Sequence, residues 1–563
     1  MFETNNEIGD TLQTENNPKR NGRIFIIIGV SIIVVVAIIV LVVLLTKSKK
    51  DNSDNQETQE IKTKLSTIPL PEGVIIDDGH YLFDGNIFIC YKRNSTNYTY
   101  FGVISDDGSN FKELYGAEFI VSDKANGIRL IPFRDNKRVY LGDFVFECND
   151  TTQNVSSCEK GVLIPVNYPE KLVGSRLTYK TWSEMVVAPD NIHVVWTSLN
   201  MACGAIVFLG KFSRTENSYE IIESKIISTI NFIKQDPTNE TILIPQTPRG
   251  GEVKQFIDGG NALSLVGTLP DEFVKSVYQS LKTEEMYTFS HEIGYDETSI
   301  LSPDEKLGIT MSTRFSPQTS MGILGLMKRP YCSLSLSKVV ENVYIYAVTN
   351  VRKYRKGNVG PVLFEKEKSM KDPNYHGIDL HDKENKFVFC SPISWHPSNL
   401  KALWPEVERG TSNRRLRKLE ISNYTPSTYP KLENTTDNVP YALDMSEIDK
   451  INFDKETNGI IEGKHSGHIE YYNSGFSQTV QVVKLTYVNY SDDGKKFYNG
   501  EEIYDVDRTS RTKYSSNIIL SGSESGQNNF TITFDTNSDL IKDETEGYAT
   551  YGGKTIKAED YLE

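Results

Sequence analysis

The chain has 563 residues, of which 38% are hydrophobic and 24% charged, a composition typical of a globular protein with room for two to four domains. Its 30 Tyr and 25 Phe favour strands over helices. A formal net charge of −14 excludes the electrostatic footprint of a nucleic-acid-binding protein at the level of the whole chain. The basic run Arg414–Lys418 is interpreted as a solvated strand or turn, so no nucleic acid partner is expected.

The N-terminal region contains one long apolar segment. Residues 1–23 are polar and poor in aromatic side chains, which predicts a disordered cytoplasmic tail. The segment 24–45 (Ile24–Leu45) has 22 residues and no charge, and as a helix it would cover roughly 30 Å, the thickness of the hydrocarbon core. A cleavable signal peptide has a shorter apolar region that ends in small residues. The sequence therefore predicts a single transmembrane helix that anchors the protein.

The orientation of this anchor depends on the mass that follows it. Three basic residues precede the segment and three follow it, so positive charge does not decide. Long domains are translocated largely regardless of charge, which favours a cell membrane or endomembrane protein with its C-terminal region extracellular or lumenal. Sequons support this orientation without deciding it, because a chain rich in Asn, Ser and Thr contains some by chance. The candidate glycosylation sites are Asn94, Asn97, Asn149, Asn154, Asn239, Asn423, Asn434, Asn489 and Asn529.

A charged stalk at residues 46–67 is followed by a recurring turn-and-strand pattern from Ile68 onward. Pro presets φ for a turn and Asp or Asn closes it by bonding to its own backbone, after which a short apolar strand begins. The instances are Phe83–Tyr91, Phe133–Leu141, Ala188–Trp196, Ile257–Val266, Ser302–Met311 and His396–Trp404. Their turn residues lie 46 to 68 residues apart up to Asp304, and the next interval of 94 residues has room for two units. A period of this length with about four strands per unit indicates a β-propeller at residues 68–445, with an array of β-sandwiches as the alternative.

The turn sequences resemble those of a known propeller family. The segment Tyr100–Gly116 contains ISDDGSNFKEL, and SPDE and APDN open two of the strands. These are similar to the two turns of the TolB-type propeller repeat, "SPDGK" and "DGS-N-x-x-x-L". The resemblance implies an all-β fold with about seven blades (six to eight), of the type found in dipeptidyl-peptidase-like proteins, many of which are single-pass membrane proteins.

Two further elements are predicted outside the repeat pattern. Apolar residues at Phe273, Val274, Val277 and Leu281 have helical spacing, which predicts a surface helix within residues 270–287. Strands of period two follow near the C terminus and predict a small antiparallel β domain at residues 446–563, with a last propeller blade that carries extensions as the alternative. These strands are His468–Asn473, Gln478–Tyr490, Lys495–Val506, Thr512–Gly522 and Asn528–Thr536.

The six cysteines contain no CxxC motif. Cys148 and Cys158 bracket a polar loop, so a disulfide between them is expected if the compartment is oxidising, with two free thiols as the alternative.

Enzyme motifs are scarce in this sequence. A serine hydrolase needs a G-x-S-x-G nucleophile elbow, and none occurs. The densest polar cluster, Tyr375–Asn399, supplies His376, His381 and His396, and three imidazoles can hold a divalent metal. Oligogalacturonate lyases, which are TolB-like propellers, look similar in holding a metal with His side chains. Against a shared metal site, His376 and His381 would face opposite sides of one strand.

These observations favour a binding or scaffolding module for a protein or carbohydrate ligand, without a cofactor. The alternatives are a metal-assisted polysaccharide lyase or hydrolase that uses the three histidines, and an inactive peptidase-like modulator of a membrane partner. Fold alone does not choose among these functions.

Overall fold

The structure is a computed structural model. It describes residues 60–93, 98–118, 129–172, 178–179, 185–200, 204–269, 273–331, 335–451, 456–475 and 480–562. The predicted tail, the predicted membrane segment and the predicted stalk up to residue 59 lie outside these ranges. Within them, no helix has the length and apolar character needed to cross a membrane. The chain from Thr63 onward forms one compact unit.

The strands up to Ser422 form six antiparallel units. The strand β1 (Lys62–Thr67) precedes them. The first three units contain β2 (Val74–Tyr81), β3 (Ile87–Arg93), β4 (Tyr98–Ile104) and β5 (Lys112–Glu118); β6 (Ile131–Pro132), β7 (Arg138–Tyr140), β8 (Phe144–Cys148) and β9 (Gly161–Asn167); and β10 (Thr178–Tyr179), β11 (Met185–Val187), β12 (His193–Asn200), β13 (Gly204–Arg214) and β14 (Tyr219–Ile226). A parallel pairing of β9 with β14 joins the second and third units.

A hairpin of β15 (Ile233–Gln235) and β16 (Leu243–Pro245) separates the third unit from the fourth. The last three units contain β17 (Glu252–Ile257), β18 (Ala262–Gly267), β19 (Lys275–Ser280) and β20 (Met286–Thr288); β21 (Asp296–Leu301), β22 (Leu307–Ser312), β23 (Val362–Glu365) and β24 (Ile378–Asp379); and β25 (Phe387–Phe389), β26 (Ser394–Trp395), β27 (Lys401–Glu408) and β28 (Arg414–Ser422).

The N-terminal strand completes the sixth unit. In that sheet β1 lies beside β28 as the outermost strand, and the Ile68 amide donates a hydrogen bond to the Leu416 carbonyl (3.0 Å). Residues 62–67, which the sequence assigns to the stalk, are thus part of the sheet. The sequence did not predict this strand because its residues are mostly polar or charged, and the side chains on its outer side are exposed.

At one end of the units, hydrogen bonds between turns join most neighbouring units. At four of the six boundaries, a turn amide donates to the side-chain oxygen of a residue in the following turn. That acceptor residue has a positive φ of 55–62°, a region that Asn enters more readily than most residues. The pairs are Phe83 to Asn136 (2.7 Å), Asp135 to Asn191 (3.2 Å), Asp258 to Glu305 (2.7 Å) and Asp304 to Asn399 (2.8 Å). We call these contacts the turn latches.

Other hydrogen bonds join the remaining two boundaries. Between the third and fourth units, the Val253 amide donates to the Thr197 hydroxyl (2.9 Å). Between the sixth and first units, the Tyr81 amide donates to the Ser394 hydroxyl (2.8 Å), and Ile76 packs in one core with Leu416. Every unit therefore contacts its two neighbours, and the six units close into a ring.

The predicted surface helix at residues 270–287 is wrong. Residues 275–280 form β19, a strand inside its sheet with every residue buried, and Met286–Thr288 form β20. Because both faces of this strand are buried, its sequence does not alternate between polar and apolar residues. The spacing of the apolar residues in this segment therefore resembled the spacing expected of a helix.

The helices of the structure lie elsewhere. A segment of 49 residues between β22 and β23, residues 313–361, contains α1 (Ser335–Tyr344), a π-helical turn (Ile345–Thr349) and α2 (Asn350–Lys353). We call this segment the insert. The helix α3 (Lys366–Lys371) follows β23. Short 3-10 turns are found at Val155–Ser157, Glu170–Leu172, Asp258–Gly260, Gly322–Leu324, Met445–Lys450, Lys542–Glu544 and Ala558–Tyr561.

The C-terminal region begins with β29 (Leu443–Asp444), which pairs with β14, and continues as an eight-stranded antiparallel meander. Its strands are β30 (Thr457–Glu462), β31 (Ser466–Asn473), β32 (Val480–Ser491), β33 (Lys496–Asp507), β34 (Arg511–Gly522), β35 (Gly526–Asp535), β36 (Glu546–Tyr551) and β37 (Lys554–Lys557). The five strands read from the sequence correspond to β31–β35. Their alternation was readable because only one side of this sheet is buried.

A buried polar cluster joins the C-terminal sheet to the insert. Glu502 on β33 accepts hydrogen bonds from the hydroxyls of Tyr487 (2.8 Å) and Tyr514 (2.7 Å). Arg329 of the insert donates to the Tyr514 hydroxyl (3.1 Å) and lies 3.9 Å from the Glu502 carboxylate. Arg329, Glu502 and Tyr514 are each at most 3% exposed, so the cluster attaches the sheet through paired rather than isolated charge.

We predict that Glu502→Ala lowers the free energy of unfolding by about 3–5 kcal/mol, because it removes the shared acceptor of two buried hydroxyls and the carboxylate that lies 3.9 Å from the buried Arg329 guanidinium. The matched control is Glu501→Ala on the other side of the same strand. Its carboxylate pairs with Lys484 (2.7 Å) where both side chains are more than 40% exposed, and its loss should cost at most about 1 kcal/mol. Denaturant unfolding measures both, and equal effects would contradict the role given to the cluster.

We further predict that Asn399→Ala lowers the free energy of unfolding by about 2 kcal/mol. The change removes the acceptor for the buried Asp304 amide, and alanine at φ 62° has no such hydrogen bond to offset the strain of the left-handed backbone. Asn399→Gly should cost less, because glycine adopts this φ without strain. Comparing the two variants separates the contribution of the turn latch to stability from that of backbone strain. A glycine variant less stable than the alanine variant would contradict this explanation.

Candidate functional site

One strand from each of the six units lines a cavity on the axis of the ring: β2, β6, β11, β17, β21 and β26. Its volume is about 200 Å³. The lining residues on these strands include His80, Ile131, Val186, Phe256, Ile300 and Trp395. Because a propeller brings its innermost strands together at the axis, this is where side chains distant in sequence meet.

The wall of the cavity is largely apolar, and its polar side chains bond to the protein itself. His80 contacts the Ser394 hydroxyl (2.9 Å), and Lys254 pairs with Glu252 (2.8 Å). Gln255 both donates to and accepts from the backbone of Leu301 (3.0 and 2.7 Å). Burial lowers the pKa of His80 to about 4, so its imidazole is neutral at physiological pH.

A segment that the sequence assigned to the propeller covers one end of the axis instead. Residues 423–442, which we call the strap, leave β28 of the sixth unit and lead to β29 beside the third unit. Tyr429, Pro430 and Leu432 of the strap line the axial cavity. The strap has no strand or helix of its own, so side chains and backbone groups of the turns hold it in place.

Asp304 anchors the first part of the strap. This carboxylate is 2% exposed and accepts from the Tyr424 hydroxyl (2.7 Å) and the Ser427 amide (3.0 Å). It belongs to the SPDE turn that the sequence identified, so the aspartate that closes this turn also binds the strap.

Asp190 and its neighbours anchor the second part. The Thr435 amide donates to the Asp190 carboxylate (3.1 Å), and the Thr435 hydroxyl donates to the Gly260 carbonyl (2.8 Å). The Thr436 amide donates to the Asn261 side chain (3.0 Å). These bonds cross the boundary between the third and fourth units, where no turn latch is found among the described residues.

His193 joins this anchor to a third strap residue. Its Nδ1 lies 2.6 Å from the Asp190 carboxylate and its Nε2 lies 3.2 Å from that of Asp437, which also pairs with Lys211 (2.8 Å). Although burial works against the imidazolium, the hydrogen bonds to Asp190 and Asp437 raise the pKa of His193 above its ordinary value. Burial likewise opposes ionisation of Asp190, but bonds donated by His193 and by backbone amides lower its pKa to about 2.

The insert approaches the axis from the opposite ends of the strands. Its Arg352 donates through Nε to the Phe389 carbonyl of β25 (3.0 Å). Nearby, burial raises the pKa of Glu297 to about 7, with Lys254 acting in the opposite direction. The Glu297 carboxyl accepts from the Tyr295 hydroxyl, so this buried acid is part of an internal network.

One cation at the mouth of the cavity lacks an acidic partner among the described residues. The Arg134 guanidinium lies over the rings of Phe83 (5.2 Å) and Tyr429 (5.9 Å), and no carboxylate in the described ranges pairs with it. Burial lowers the pKa of Arg134. The arginine therefore contacts aromatic faces but has an unused capacity for hydrogen bonding.

The three histidines predicted as metal ligands have separate partners. His376 contacts Glu292 (2.6 Å), His381 contacts Asp379 (2.6 Å), and His396 contacts the Ser398 hydroxyl (2.8 Å). In the part of the chain that the structure describes, no group of three or more His, Cys, Asp or Glu could hold a metal ion. The structure thus does not bring His376, His381 and His396 together, and a metal-dependent lyase stays a prediction without support from their geometry.

The predicted disulfide pair is found at bonding distance. Cys148 ends β8, and its Cα lies 5.7 Å from that of Cys158, within the range for a disulfide. Cys90 and Cys390 are buried free thiols, and Cys203 and Cys332 lie outside the described residues.

Seven of the nine sequon asparagines can be placed in the structure, and all seven are exposed: Asn149, Asn154, Asn239, Asn423, Asn434, Asn489 and Asn529. Asn94 and Asn97 lie outside the described ranges.

No family model and no curated protein matches this chain. Solved structures do. One is a putative TolB from Agrobacterium tumefaciens, with 9% identity over 55% of this chain and 83% of that chain and a TM-score of 0.29. Another is an oligogalacturonate lyase from Vibrio parahaemolyticus, with 9% identity over 64% and 96% and a TM-score of 0.34. A third is the β-propeller domain of the Trilobed protease from Pyrococcus furiosus, with 7% identity over 77% and 94% and a TM-score of 0.25.

The chain is similar to TolB-like β-propellers. The similarity concerns the fold alone.

Sequence reasoning missed the strap and Arg134. A signal for the strap existed, because residues 423–442 contain Pro426, Pro430 and Pro440 and lack the alternation of a strand. No comparable signal marks Arg134, since its two aromatic contacts lie 51 and 295 residues away in the chain.

We predict that the attachment of the strap weakens as pH rises above about 6.5, the ordinary pKa of histidine. A group whose folded-state pKa is raised stabilises fully below its unfolded value, and this contribution is lost as pH rises through the folded value. Asp190 and Asp437 stay ionised throughout, because their pKa values are lowered. Amide hydrogen exchange at Thr435 and Thr436 should therefore accelerate with pH more than the intrinsic rate does.

The His193→Gln variant should lose this extra pH dependence, because glutamine does not titrate. The control is His468→Gln on the C-terminal sheet, which should behave as the unmodified protein does. An unchanged pH profile in His193→Gln would contradict the assignment.

Proposed function

We propose that this chain is a single-pass membrane protein whose six-bladed propeller and C-terminal sheet form a binding module outside the cytosol. The observation that carries the binding role is the strap. The strap covers the turn end of the axis and leaves a cavity of about 200 Å³ that is concave and largely apolar, as ligand-binding pockets are.

The ring is suited to holding a binding surface in a fixed shape. Turn latches and two further hydrogen bonds join each unit to the next, and β1 adds an outer strand to the sixth unit. When neighbouring units are held rigidly, the side chains that they contribute to a binding surface are already ordered. Binding then costs little conformational entropy. We propose that the six units are the blades, and that β1, the strand nearest to the predicted anchor, closes the ring.

The location outside the cytosol is supported by the accessibility of the sequons. All seven that the structure describes are exposed. Five other asparagines of the described ranges are buried, and none of them starts an N-x-S/T sequence: Asn261, Asn350, Asn399, Asn473 and Asn528. A glycan can be added only where the asparagine is accessible, so this pattern fits a secretory-pathway protein. The Cys148–Cys158 pair also fits an oxidising compartment.

We predict that the full-length protein expressed in its own cells carries N-linked glycans. Treatment with an N-glycosidase should increase its electrophoretic mobility, and Asn→Gln changes at all nine candidate sequons, made one after another, should remove the shift in steps. A C-terminal epitope should resist protease in sealed microsomes. A protein without glycans whose C terminus is digested in sealed microsomes would overturn this topology.

A further inference from the structure

The mouth of the axial cavity has a rim of four side chains. These are Phe83 from the turn of the first unit, Arg134 from the turn of the second unit, and Tyr429 and Leu432 from the strap. Phe83, Tyr429 and Leu432 are 39%, 39% and 43% exposed, although they sit against a largely apolar cavity. Aromatic residues and arginine at the edge of a pocket are the side chains that most often dominate the energy of an interface.

Among the charged side chains that line the cavity, Arg134 alone has neither a hydrogen-bond nor an ionic partner in the part of the chain that the structure describes. Six polar lining side chains have hydrogen-bond or ionic partners within the protein: His80, Lys254, Gln255, Thr298, Ser302 and Glu305. Arg134 contacts only aromatic rings among the described residues. A ligand that enters here thus meets polar side chains that already have partners, and one guanidinium that has no anionic partner among the described residues.

We propose that the axial cavity binds an aromatic carboxylate, with the ring inside the cavity and the carboxylate paired with Arg134. This inference rests on the proposed binding function and names its ligand. The wall contributes Ile131, Phe256 and Trp395, which offer apolar and aromatic surface to a ring. The guanidinium fork matches a carboxylate with two parallel hydrogen bonds.

The size of the cavity agrees with one aromatic ring. An apolar protein cavity of about 150 Å³ is large enough to bind benzene, and this one measures about 200 Å³. The remaining volume and the half-exposed rim leave room for a short linker between the ring and the carboxylate. A larger ligand would have to displace Tyr429 or Leu432.

Partial burial of Arg134 strengthens the ion pair that it would form with the carboxylate of a ligand. Arg134 loses part of its hydration in the free protein, as the lowering of its pKa by burial indicates. An incoming carboxylate supplies an electrostatic partner at a partly buried site, so the pair is screened less than one on an open surface.

The same chemistry could come from a free aromatic acid or from a polypeptide that ends in an aromatic residue. The two sources differ in what extends beyond the carboxylate. In a C-terminal residue the chain leaves from the amide nitrogen next to the carboxylate and would pass over Phe83 or the strap, whereas a free acid makes no such contact.

Calorimetric titration of the purified full-length protein in detergent tests the proposal with defined probes. The first arm uses 3-phenylpropanoate and its neutral amide, and the second uses an acetylated tetrapeptide ending in Phe, as free acid and as C-terminal amide. In each arm the acid should bind about tenfold or more tightly than the amide, because only the acid pairs with Arg134. Binding of both acids indicates shared recognition, and binding of one alone identifies the source.

Variants locate the binding. Arg134→Gln should weaken binding of the acid about tenfold or more and leave the affinity for the amide unchanged. Arg134→Lys should retain part of the affinity for the acid. The matched control is Arg93→Gln. Arg93 also lies over two tyrosine rings (5.9 and 5.3 Å), but it already pairs with Glu113 (2.7 Å), so its loss should leave binding unchanged.

Equal affinity for acid and amide, or binding that survives Arg134→Gln, would overturn the proposal. Should Arg134→Gln fail to fold, the comparison of acid with amide on the unmodified protein decides. If neither acid binds, the ligand class is wrong, whereas the proposed topology and binding role are judged separately by the glycosidase and protease experiment.

Discussion

The ring depends on the hydrogen bond that a turn in one unit donates to a side-chain oxygen in the next. Each sheet of such a ring contacts only its neighbours, so no single core holds all six together. The turn latches at Asn136, Asn191 and Asn399 fix adjacent sheets at their inner corners, because the left-handed backbone of each acceptor turns its amide group toward the preceding unit. Asparagine suits this position, since it tolerates a positive φ and carries a short acceptor.

The same turns also organise the strap. Asp190 and Asp304 close their own turns and then accept hydrogen bonds from strap residues, which a carboxylate can do because its two oxygens together accept about four bonds. A chain segment without strand or helix is thereby held across the axis by groups that the turns had already ordered. The cavity owes its cover to turn chemistry rather than to an additional folded element.

The position of Arg134 follows from this arrangement. The second unit supplies the arginine, the first unit supplies Phe83, and the strap supplies Tyr429. Two aromatic faces stabilise the guanidinium without neutralising it, which leaves a cation beside an apolar cavity. No described residue of the C-terminal sheet lines the cavity. The buried cluster of Glu502, Tyr514 and Arg329 attaches this sheet to the insert.

The sequence by itself determined the local features of this protein. Alternation in β31–β35 was readable because one side of that sheet is buried, and the turns were readable because Pro, Asp and Asn impose backbone angles on their own residues. The Cys148–Cys158 pair lies within one loop and was likewise predictable. Tertiary structure alone decided that residues 275–280 form a buried strand, that residues 62–67 complete the sixth unit, and that residues 423–442 cover the axis. These outcomes depend on partners up to about 350 residues away along the chain, and the spacing of neighbouring residues carries no information about which distant segment will lie beside them.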